Sequence, residues 1–499
     1  MLWVSDKKLI RTIKTIILYY RKEQNREKYC ILPAKINDGV RKMDQLEKIE
    51  SYIDAHQDEY FGELKKFVSY GSTASCPEER EKARTFIEKR FQKAGIPSER
   101  VPIPDGNALI CGHMAGKADR TVLLYNHYDV VEPGNPQKWI SGPPYQVMER
   151  DGYLYGRGVS DNKGPLLSRI QAIEAILKAT GGLPVNVHFL LEGDEESGSP
   201  SMMRFAKTQP EEFRQYVQSD VCFWENGRRQ GDGGPWARYG VRGNCTFTLK
   251  VRAANHDVHG RMGAVIPSAS WRLVWALSTL KGPDERIRIP GFYDNVIQPT
   301  AEEMHVLEQF PYDEKEKREK LGLEQFVLGA SGTELKRRLY FEPTMSICGL
   351  EAGEMYKGPR GIVPHEATAR VSCYLVANQD PDQIARQLRQ YLAAQGFGDV
   401  EVTYEDGTVP VKTPIQIPET ALLEKAALQV YGKPLVKEIT QLGGGPAIAL
   451  RWVQPDLKII GIGPGNTNAN HHSPDENIRK EDYLKSMKML AAFLLAYGE

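Results

Sequence analysis

Histidine and carboxylate side chains follow several strand-like segments of this chain, in positions where they could bind metal ions. His127 and Asp129 close the apolar run TVLLYNHYDVV and would point to the same side of a strand. Asp161 lies in the glycine-rich turn GRGVSDNKG, just before a helical pattern. The other candidates follow later strands: Asp194, Glu195, Glu196, Glu225, His471 and His472. Imidazole and carboxylate together, with no thiolate, favour zinc, manganese or cobalt, and five ligands with one shared carboxylate fit two metals.

Each of these motifs also has an ordinary explanation when it is taken alone. The pair His127 and Asp129 could begin a solvent-facing loop, DEESGS could be a solvated turn, and His472 could be a surface or core histidine. The combination is more specific, because open α/β sheets bind ligands beyond the carboxyl ends of their strands. Spacing alone separates neither His471 from His472 nor Glu195 from Glu196.

The composition indicates a globular protein with no general affinity for polyanions. Its 499 residues predict two or three domains, and a formal net charge of zero argues against binding to nucleic acid or to an anionic membrane. No apolar run reaches about 18 residues, so we expect no transmembrane helix. Seven widely spaced cysteines without a CxxC pair favour free thiols, and hence a cytoplasmic location.

The order of helical and strand-like patterns predicts an α/β fold. Helices are expected at 43–69, 78–95 and 165–179, with strands between and after them, which indicates a mixed sheet with helices on both faces. A glycine-rich break at 231–244 then introduces an α+β block. The predicted divisions are an N-terminal basic appendage at 1–42, a catalytic domain at 43–240 and 411–499, and an inserted domain at 241–410.

The segment 1–42 differs in charge from the rest, since its lysines and arginines outnumber its acidic residues by seven. Met43 opens a better-patterned helix. The segment is therefore interpreted as an appendage or as a misassigned start, with a basic amphipathic surface helix as the functional alternative.

Taken together, the stretches NHYDVV, GRGVSDNKG, EGDEESGS, FWENG and HHSPDENI resemble the dinuclear-zinc metallopeptidases. That family includes carnosinase-like dipeptidases, carboxypeptidase G, aminoacylase and succinyl-diaminopimelate desuccinylases, and the resemblance runs from about residue 43 to 499. It implies a zinc-peptidase-like catalytic domain, two divalent metal ions per chain, and a lid domain through which two chains form a homodimer. Zinc is the expected metal, with manganese or cobalt as alternatives.

The resemblance also implies a role for each candidate residue. His127 and Glu225 would bind one metal, Glu196 and His472 the other, and Asp161 would bridge both. The catalytic residues would be Glu195 as general base and acid, Asp129 as the partner that orients His127, and His259 of HDVHGRMG as a donor to the substrate oxyanion, supplied by the lid. His472 is preferred over His471 because the family histidine precedes a glutamate by four residues, here Glu476.

The expected reaction is hydrolysis of amide bonds in dipeptides or small peptide-like substrates by a hydroxide that bridges the two metals. The alternative is an N-acyl amino acid deacylase or desuccinylase at the same site, and a catalytically silent binding protein is a third hypothesis. Two departures concern substrate binding: Tyr374 stands where the family has an arginine that grips the substrate carboxylate, and Gly445 replaces a family serine. Arg360 or Arg370 could substitute for that arginine.

Overall fold

The computed structural model describes residues 34–353 and 361–499, of which Lys48–Glu499 form one compact unit. The predicted appendage lies outside the described residues except for the helical backbone of 34–42. Fourteen α-helices are present in the described part of the chain: α1 Ala34–Ala55, α2 Gln57–Val68, α3 Pro77–Ala94, α4 Lys163–Thr180, α5 Pro200–Thr208, α6 Pro210–Val217, α7 Ala269–Leu280, α8 Ala301–Gln309, α9 Glu314–Leu321, α10 Gly332–Phe341, α11 Pro381–Ala394, α12 Pro418–Tyr431, α13 Ile448–Val453 and α14 Lys480–Tyr497.

The strands of the same residues form two large sheets and two small ones. In chain order they are β1 Ser98–Val101, β2 Leu109–Met114, β3 Gly116–His127, β4 Met148–Arg150, β5 Tyr153–Tyr155, β6 Leu183–Glu192, β7 Val221–Trp224, β8 Arg228–Arg229, β9 Pro235–Arg238, β10 Gly240–Arg252, β11 Val258–His259, β12 Thr344–Ala352, β13 Ile362–Val363, β14 Glu366–Leu375, β15 Glu401–Thr408, β16 Val411–Lys412, β17 Val436–Glu438, β18 Gln441–Gly444, β19 Lys458–Gly461 and β20 Asn477–Arg479.

The larger sheet is mixed and has the order β1-β2-β6-β3-β7-β19-β9-β17, with β8 paired to β9. Strands β6, β3, β7 and β19 run parallel, so their carboxyl ends lie at one edge. The last six residues of β3 are buried without alternation, as expected for a central strand covered on both faces. Helices α4, α12 and α14 pack on one side, and α5, α6 and α13 on the other. The predicted fold class is confirmed.

The smaller sheet has the antiparallel order β12-β14-β10-β15 and contains most of the predicted inserted domain. Strand β10 alternates buried and half-buried residues, because α7 and α11 cover one face of this sheet. Phe247, Leu249 and Val371 contribute to the core beneath these helices. The division of the chain at 241 and 410 stays a prediction.

One predicted helix is interrupted. The pattern over 43–69 suggested a single helix, but α1 ends at Ala55 and α2 begins at Gln57. His56 has a non-helical backbone, and its ring stacks on Tyr52 at 3.9 Å between centroids while its Nδ1 lies 2.8 Å from the Tyr52 carbonyl oxygen. This local side-chain hydrogen bond competes with the backbone hydrogen bonds of the helix. The apolar periodicity continues on either side, so the sequence pattern does not reveal the break between α1 and α2.

Candidate active site

The predicted metal-site residues meet at the carboxyl edge of the larger sheet. His127 is the last residue of β3, Glu225 follows β7 directly, and Glu195 opens a 3-10 turn just after β6. Asp161 precedes α4, and His472 lies in the segment between β19 and β20. Because β3, β6, β7 and β19 are parallel neighbours, four segments far apart in the chain come together at this edge.

Asp161 lies between the two histidines. Its Oδ1 is 3.2 Å from Nε2 of His127, and its Oδ2 is 3.3 Å from Nε2 of His472. The same His472 nitrogen is 3.1 Å from Oε2 of Glu196. One carboxylate thus offers an oxygen to each imidazole, which is the arrangement expected of a ligand shared by two cations.

Ligand atoms in the described residues gather into two overlapping groups, each within 4.8 Å: His127 with Glu195 and Glu196, and Asp161 with Glu196 and His472. The second group joins the residues predicted for one metal. In the first group Glu195, the predicted base, lies 3.8 Å from Nε2 of His127. Glu225 belongs to neither group.

Glu225 is nevertheless electrostatically part of the site. Burial raises its pKa to about 7; the charge of Asp161 adds to this rise and that of His127 opposes it. Its φ of +38° is a left-handed conformation, and His472 has a φ of +59°. Non-glycine residues in this region carry backbone strain, which concentrates at functional sites.

The carboxylates of the site repel one another and lie in a poorly solvated edge. Burial, together with the charges of Glu225 and Glu196, raises the pKa of Glu195 well above its usual value. Burial alone would also raise the pKa of Asp161, but the neighbouring histidines, foremost His127, hold it well below its usual range. Hydrogen bonding to Asp161 and Glu196 raises the pKa of His472 to about 10.

The donor set fits a pair of divalent cations. One buried oxygen of a predicted ligand, Oε1 of Glu196, has no hydrogen-bond partner among the described residues. Unpartnered buried acceptors are costly, and cations would remove both that cost and the repulsion between carboxylates. Nitrogen and oxygen donors without a thiolate suit zinc, manganese or cobalt.

Asp129 connects two segments that carry predicted ligands. Its Oδ1 is 3.4 Å from Nδ1 of His127, and its Oδ2 accepts a hydrogen bond from the backbone N–H of Glu196 at 2.9 Å. A carboxylate behind a ligating imidazole fixes the orientation of the ring, so that Nε2 of His127 faces Asp161. The neighbouring Asp194 has a different position, since its Oδ2 accepts a hydrogen bond from the side chain of Asn107 at 3.0 Å.

Two buried residues that shape the site were not assigned a role from the sequence. Glu476 accepts hydrogen bonds from the backbone N–H groups of Gly158, Ser160 and Asp161, at 2.8 to 2.9 Å.

Arg169 of α4 donates to the carbonyls of Tyr125, Phe223 and Ile462 and to Oδ1 of Asn126, at 2.7 to 2.9 Å. These carbonyls lie at the ends of β3 and β7 and just beyond β19, so one guanidinium connects three strands that lead to predicted ligands. The sequence feature that could have indicated this role is an arginine within the apolar helical pattern SRIQAI.

The predicted lid residue His259 lies apart from this cluster. It is exposed, its Nδ1 accepts a hydrogen bond from the backbone N–H of Arg261 at 3.2 Å, and it contacts none of the predicted metal ligands in the described part of the chain. Tyr374 is exposed on β14, as is Arg370, whereas Arg360 lies outside the described residues. A Cβ at Gly445 would meet only Val241, at 3.7 Å.

The sequence and the fold were compared with known proteins. Residues 123–496 match the model of Peptidase family M20/M25/M40. The chain belongs to this family. It is 29% identical over 478 residues to the Beta-Ala-His dipeptidase of Rattus norvegicus, an alignment that covers 90% of this chain and 95% of that protein.

Two solved structures share the fold over nearly the whole chain. The M20 family metallo-carboxypeptidase Sso-CP2 from Sulfolobus solfataricus is 28% identical, with a TM-score of 0.80 over 88% of this chain and 99% of that one. Human carnosine dipeptidase 1 is 27% identical, with a TM-score of 0.72 over 91% and 98%. The predicted family and the prediction of a peptidase are confirmed. Among the described residues, no helix is long and apolar enough to cross a membrane.

Proposed function

We propose that this chain is a dipeptidase that uses two divalent metal ions. The observation that carries the proposal is the position of Asp161 between His127 and His472, with Glu195 beside the first histidine. Asp161 would serve both cations, His127 and Glu225 completing one site and Glu196 and His472 the other. The cations would polarise the peptide carbonyl and lower the pKa of the attacking water.

Glu195 is the proposed proton carrier. It lies at the start of a short turn after β6, held in place because Asp129 accepts the N–H of the next residue. A carboxylate at this position can take a proton from water and return it to the leaving amine. Asp129 holds the His127 ring throughout, since its carboxylate oxygen remains beside Nδ1.

The test is a substrate panel with added zinc, manganese or cobalt. Dipeptides, including β-alanyl-histidine, are compared with N-acetyl and N-succinyl amino acids at matched side chains. The proposal predicts that the kcat/KM for at least one dipeptide exceeds the kcat/KM for every acyl amino acid in the panel. A preference for acyl amino acids would instead favour the deacylase alternative, and the most active metal identifies whether zinc is used.

We also propose that two chains associate through the smaller sheet and its helix α7. Trp271 and Trp275 are 60% and 54% exposed on α7, and Ile347 and Leu350 are 53% and 59% exposed on β12, which is an edge strand. Unpaired strand edges and clustered apolar groups favour association. In such a dimer His259 would reach the partner's site. Light scattering on the wild type and on a Trp271→Ser, Trp275→Ser variant tests this association.

A cytoplasmic location is proposed on the cysteines. Cys245 and Cys373 are directly opposite each other on β10 and β14, both fully buried, and both are free thiols. Such neighbours are most compatible with a reducing compartment. Fractionation of the source cells tests the location.

A further inference from the structure

Two arginines lie on the neighbouring strands that follow Glu225 in the chain. Arg228 lies on β8, three residues after Glu225, and Arg238 ends β9. The strands are antiparallel, with Arg228 opposite Trp236. Side chains two residues apart point to the same face, so Arg228 and Arg238 are diagonal neighbours on one face, close enough for long side chains to meet.

Arg238 is buried and only partly satisfied. It is 4% exposed, its Nε donates to Oε2 of Glu438 at 3.1 Å, and its Nη1 donates to Oε1 of Gln441 at 3.1 Å. Its Nη2 has no hydrogen-bond partner among the described residues. The other oxygen of Glu438 accepts from the hydroxyl of Tyr340 at 3.0 Å, so this carboxylate has little capacity left.

Arg228 has no compensating anion. It is half-buried, and the described residues give its guanidinium neither a hydrogen bond nor an ion pair. By contrast, the adjacent Arg229 donates to Asp482 at 2.6 Å. Burial and the charge of Arg228 lower the pKa of Arg238 to about 10, against the effect of Glu438. Glu438 is therefore the one carboxylate that hydrogen-bonds to this pair, and Glu225 acts on Arg238 through its charge without a hydrogen bond among the described residues.

The pair lies beside the proposed reaction site. The Cβ of Arg238 is 3.3 Å from the position that a Cβ of Gly461 would occupy. Gly461 pairs with Trp224, the residue before Glu225. Gln441, which binds Arg238, opens the strand that leads to the glycine-rich segment 443–445.

We propose that Arg228 and Arg238 form a subsite that binds a carboxylate of the substrate, an inference that rests on the proposed dipeptidase function. Guanidinium forks match the two oxygens of a carboxylate, and such an anion would neutralise Arg228 and satisfy the free donor of Arg238. In this subsite the larger sheet supplies the positive charge. The smaller sheet carries the uncharged Tyr374 at the position where the family resemblance implies an arginine.

The kinetic test uses Arg228→Met, because Arg228 is half-buried and its removal leaves no carboxylate without a partner. Substrates are an X-Gly dipeptide, its C-terminal amide, and the amide of an X-Glu dipeptide. With the free dipeptide acid, KM should rise about 10- to 100-fold, since a charge-assisted hydrogen bond is lost, while kcat changes little. With the X-Gly amide, KM should not change. If X-Glu amide also loses affinity, the subsite accepts a side-chain carboxylate as well; if only X-Gly acid does, the subsite is specific for the α-carboxylate.

Two matched variants serve as controls. Arg228→Lys keeps the charge without the fork and should fall between wild type and Arg228→Met. Arg252→Met removes an exposed arginine at the end of β10 and should leave every KM unchanged. Equal effects of Arg228→Met on acid and amide substrates would overturn the proposal.

A binding measurement separates this subsite from the proposed function. Calorimetry measures the dissociation constants of an X-Gly analogue with a reduced peptide bond and of its amide, neither of which can be cleaved. Wild type should bind the acid at least about 10-fold more tightly than the amide, and Arg228→Met should lose that preference. An unchanged preference in the variant, or none in wild type, overturns the subsite. A wild-type protein that cleaves no dipeptide but shows the Arg228-dependent preference contradicts the dipeptidase proposal alone.

Discussion

Glu476 accepts a hydrogen bond from the backbone N–H of Asp161 at 2.8 Å, although the two residues are 315 positions apart in the chain. The carboxylate is fully buried and also pairs with Arg157 at 2.8 Å. It therefore attaches the loop that carries Asp161 to the segment that carries His472. This contact positions Asp161 relative to the segment of His472, and we expect metal binding to depend on it.

Glu476→Gln should weaken metal binding without unfolding the protein. The amide keeps the shape of the side chain but loses the charge that holds three backbone N–H groups, so zinc affinity should fall about 10- to 100-fold. Competition with a chromophoric chelator measures it. Asp475→Asn is the control, because Asp475 accepts instead from the backbone and hydroxyl of Ser141. Equal zinc affinities for wild type and Glu476→Gln would show that this contact does not position Asp161.

Glu195→Gln should separate metal binding from proton transfer. The variant keeps the size of the side chain and removes the proton acceptor, so turnover of a dipeptide should fall at least about 10²-fold. Elemental analysis should show an unchanged metal content. Near-normal turnover would exclude Glu195 as the base, and loss of metal would make it a ligand.

His259→Ala should reduce turnover while both metals stay bound. Loss of one oxyanion donor typically lowers kcat about 10²- to 10³-fold. Co-expression with Glu195→Gln under different affinity tags tests the contribution across a dimer. A mixed dimer would contain one site with an intact Glu195 and an intact His259 from the neighbouring chain.

The mixed dimers should recover activity that neither parent shows. Verified mixed dimers with no more activity than the parents would exclude the role across the dimer. Unchanged turnover in His259→Ala alone would make this residue an ordinary surface histidine.

His188 should make the protein sensitive to mild acid. It pairs with His113 across β6 and β2, with ring centroids 4.6 Å apart, and burial together with His113 lowers its pKa to about 4. The folded state thus favours the neutral ring. This contribution is complete above about pH 6.5 and is lost as the pH falls towards 4. The free energy of unfolding of wild type should decrease between pH 7 and pH 5. In His188→Gln this decrease should be smaller by about 2 kcal/mol.

Urea titrations at the two pH values measure this difference. His305→Gln, which removes an exposed histidine on α8, provides the control. The same pH dependence in wild type and His188→Gln would contradict the prediction.

The sequence was sufficient to predict features that depend on short-range pattern. Apolar strands followed by polar residues indicated the catalytic edge, because parallel strands deliver their ends to one side of a sheet. The pattern placed Asp161, the pair Glu195 and Glu196, and the pair His471 and His472 at this edge, whereas the choice within each pair came from the family resemblance. The interruption at His56 could not be predicted, since a side-chain bond to the preceding turn leaves the hydrophobic period intact.

Contacts between distant segments could not be predicted either. Nothing in the local pattern indicates that Glu476 binds the Asp161 loop, or that Arg169 joins the ends of three strands. The proximity of Arg228 to Arg238 depends on the register of β8 against β9. With only two residues, β8 is too short to show an alternation from which this register could be predicted. Such roles depend on tertiary geometry.

The most direct test of two-metal dipeptide hydrolysis is a metal titration of the chelator-treated protein with hydrolysis of a dipeptide as the readout. The metal-free chain should show no hydrolysis. Activity should rise on addition of zinc, manganese or cobalt to a plateau at two equivalents per chain. Asp161→Ala should lose at least one equivalent and its activity. Full hydrolysis by verified metal-free protein, or a plateau at one equivalent in wild type, would contradict a two-metal dipeptidase.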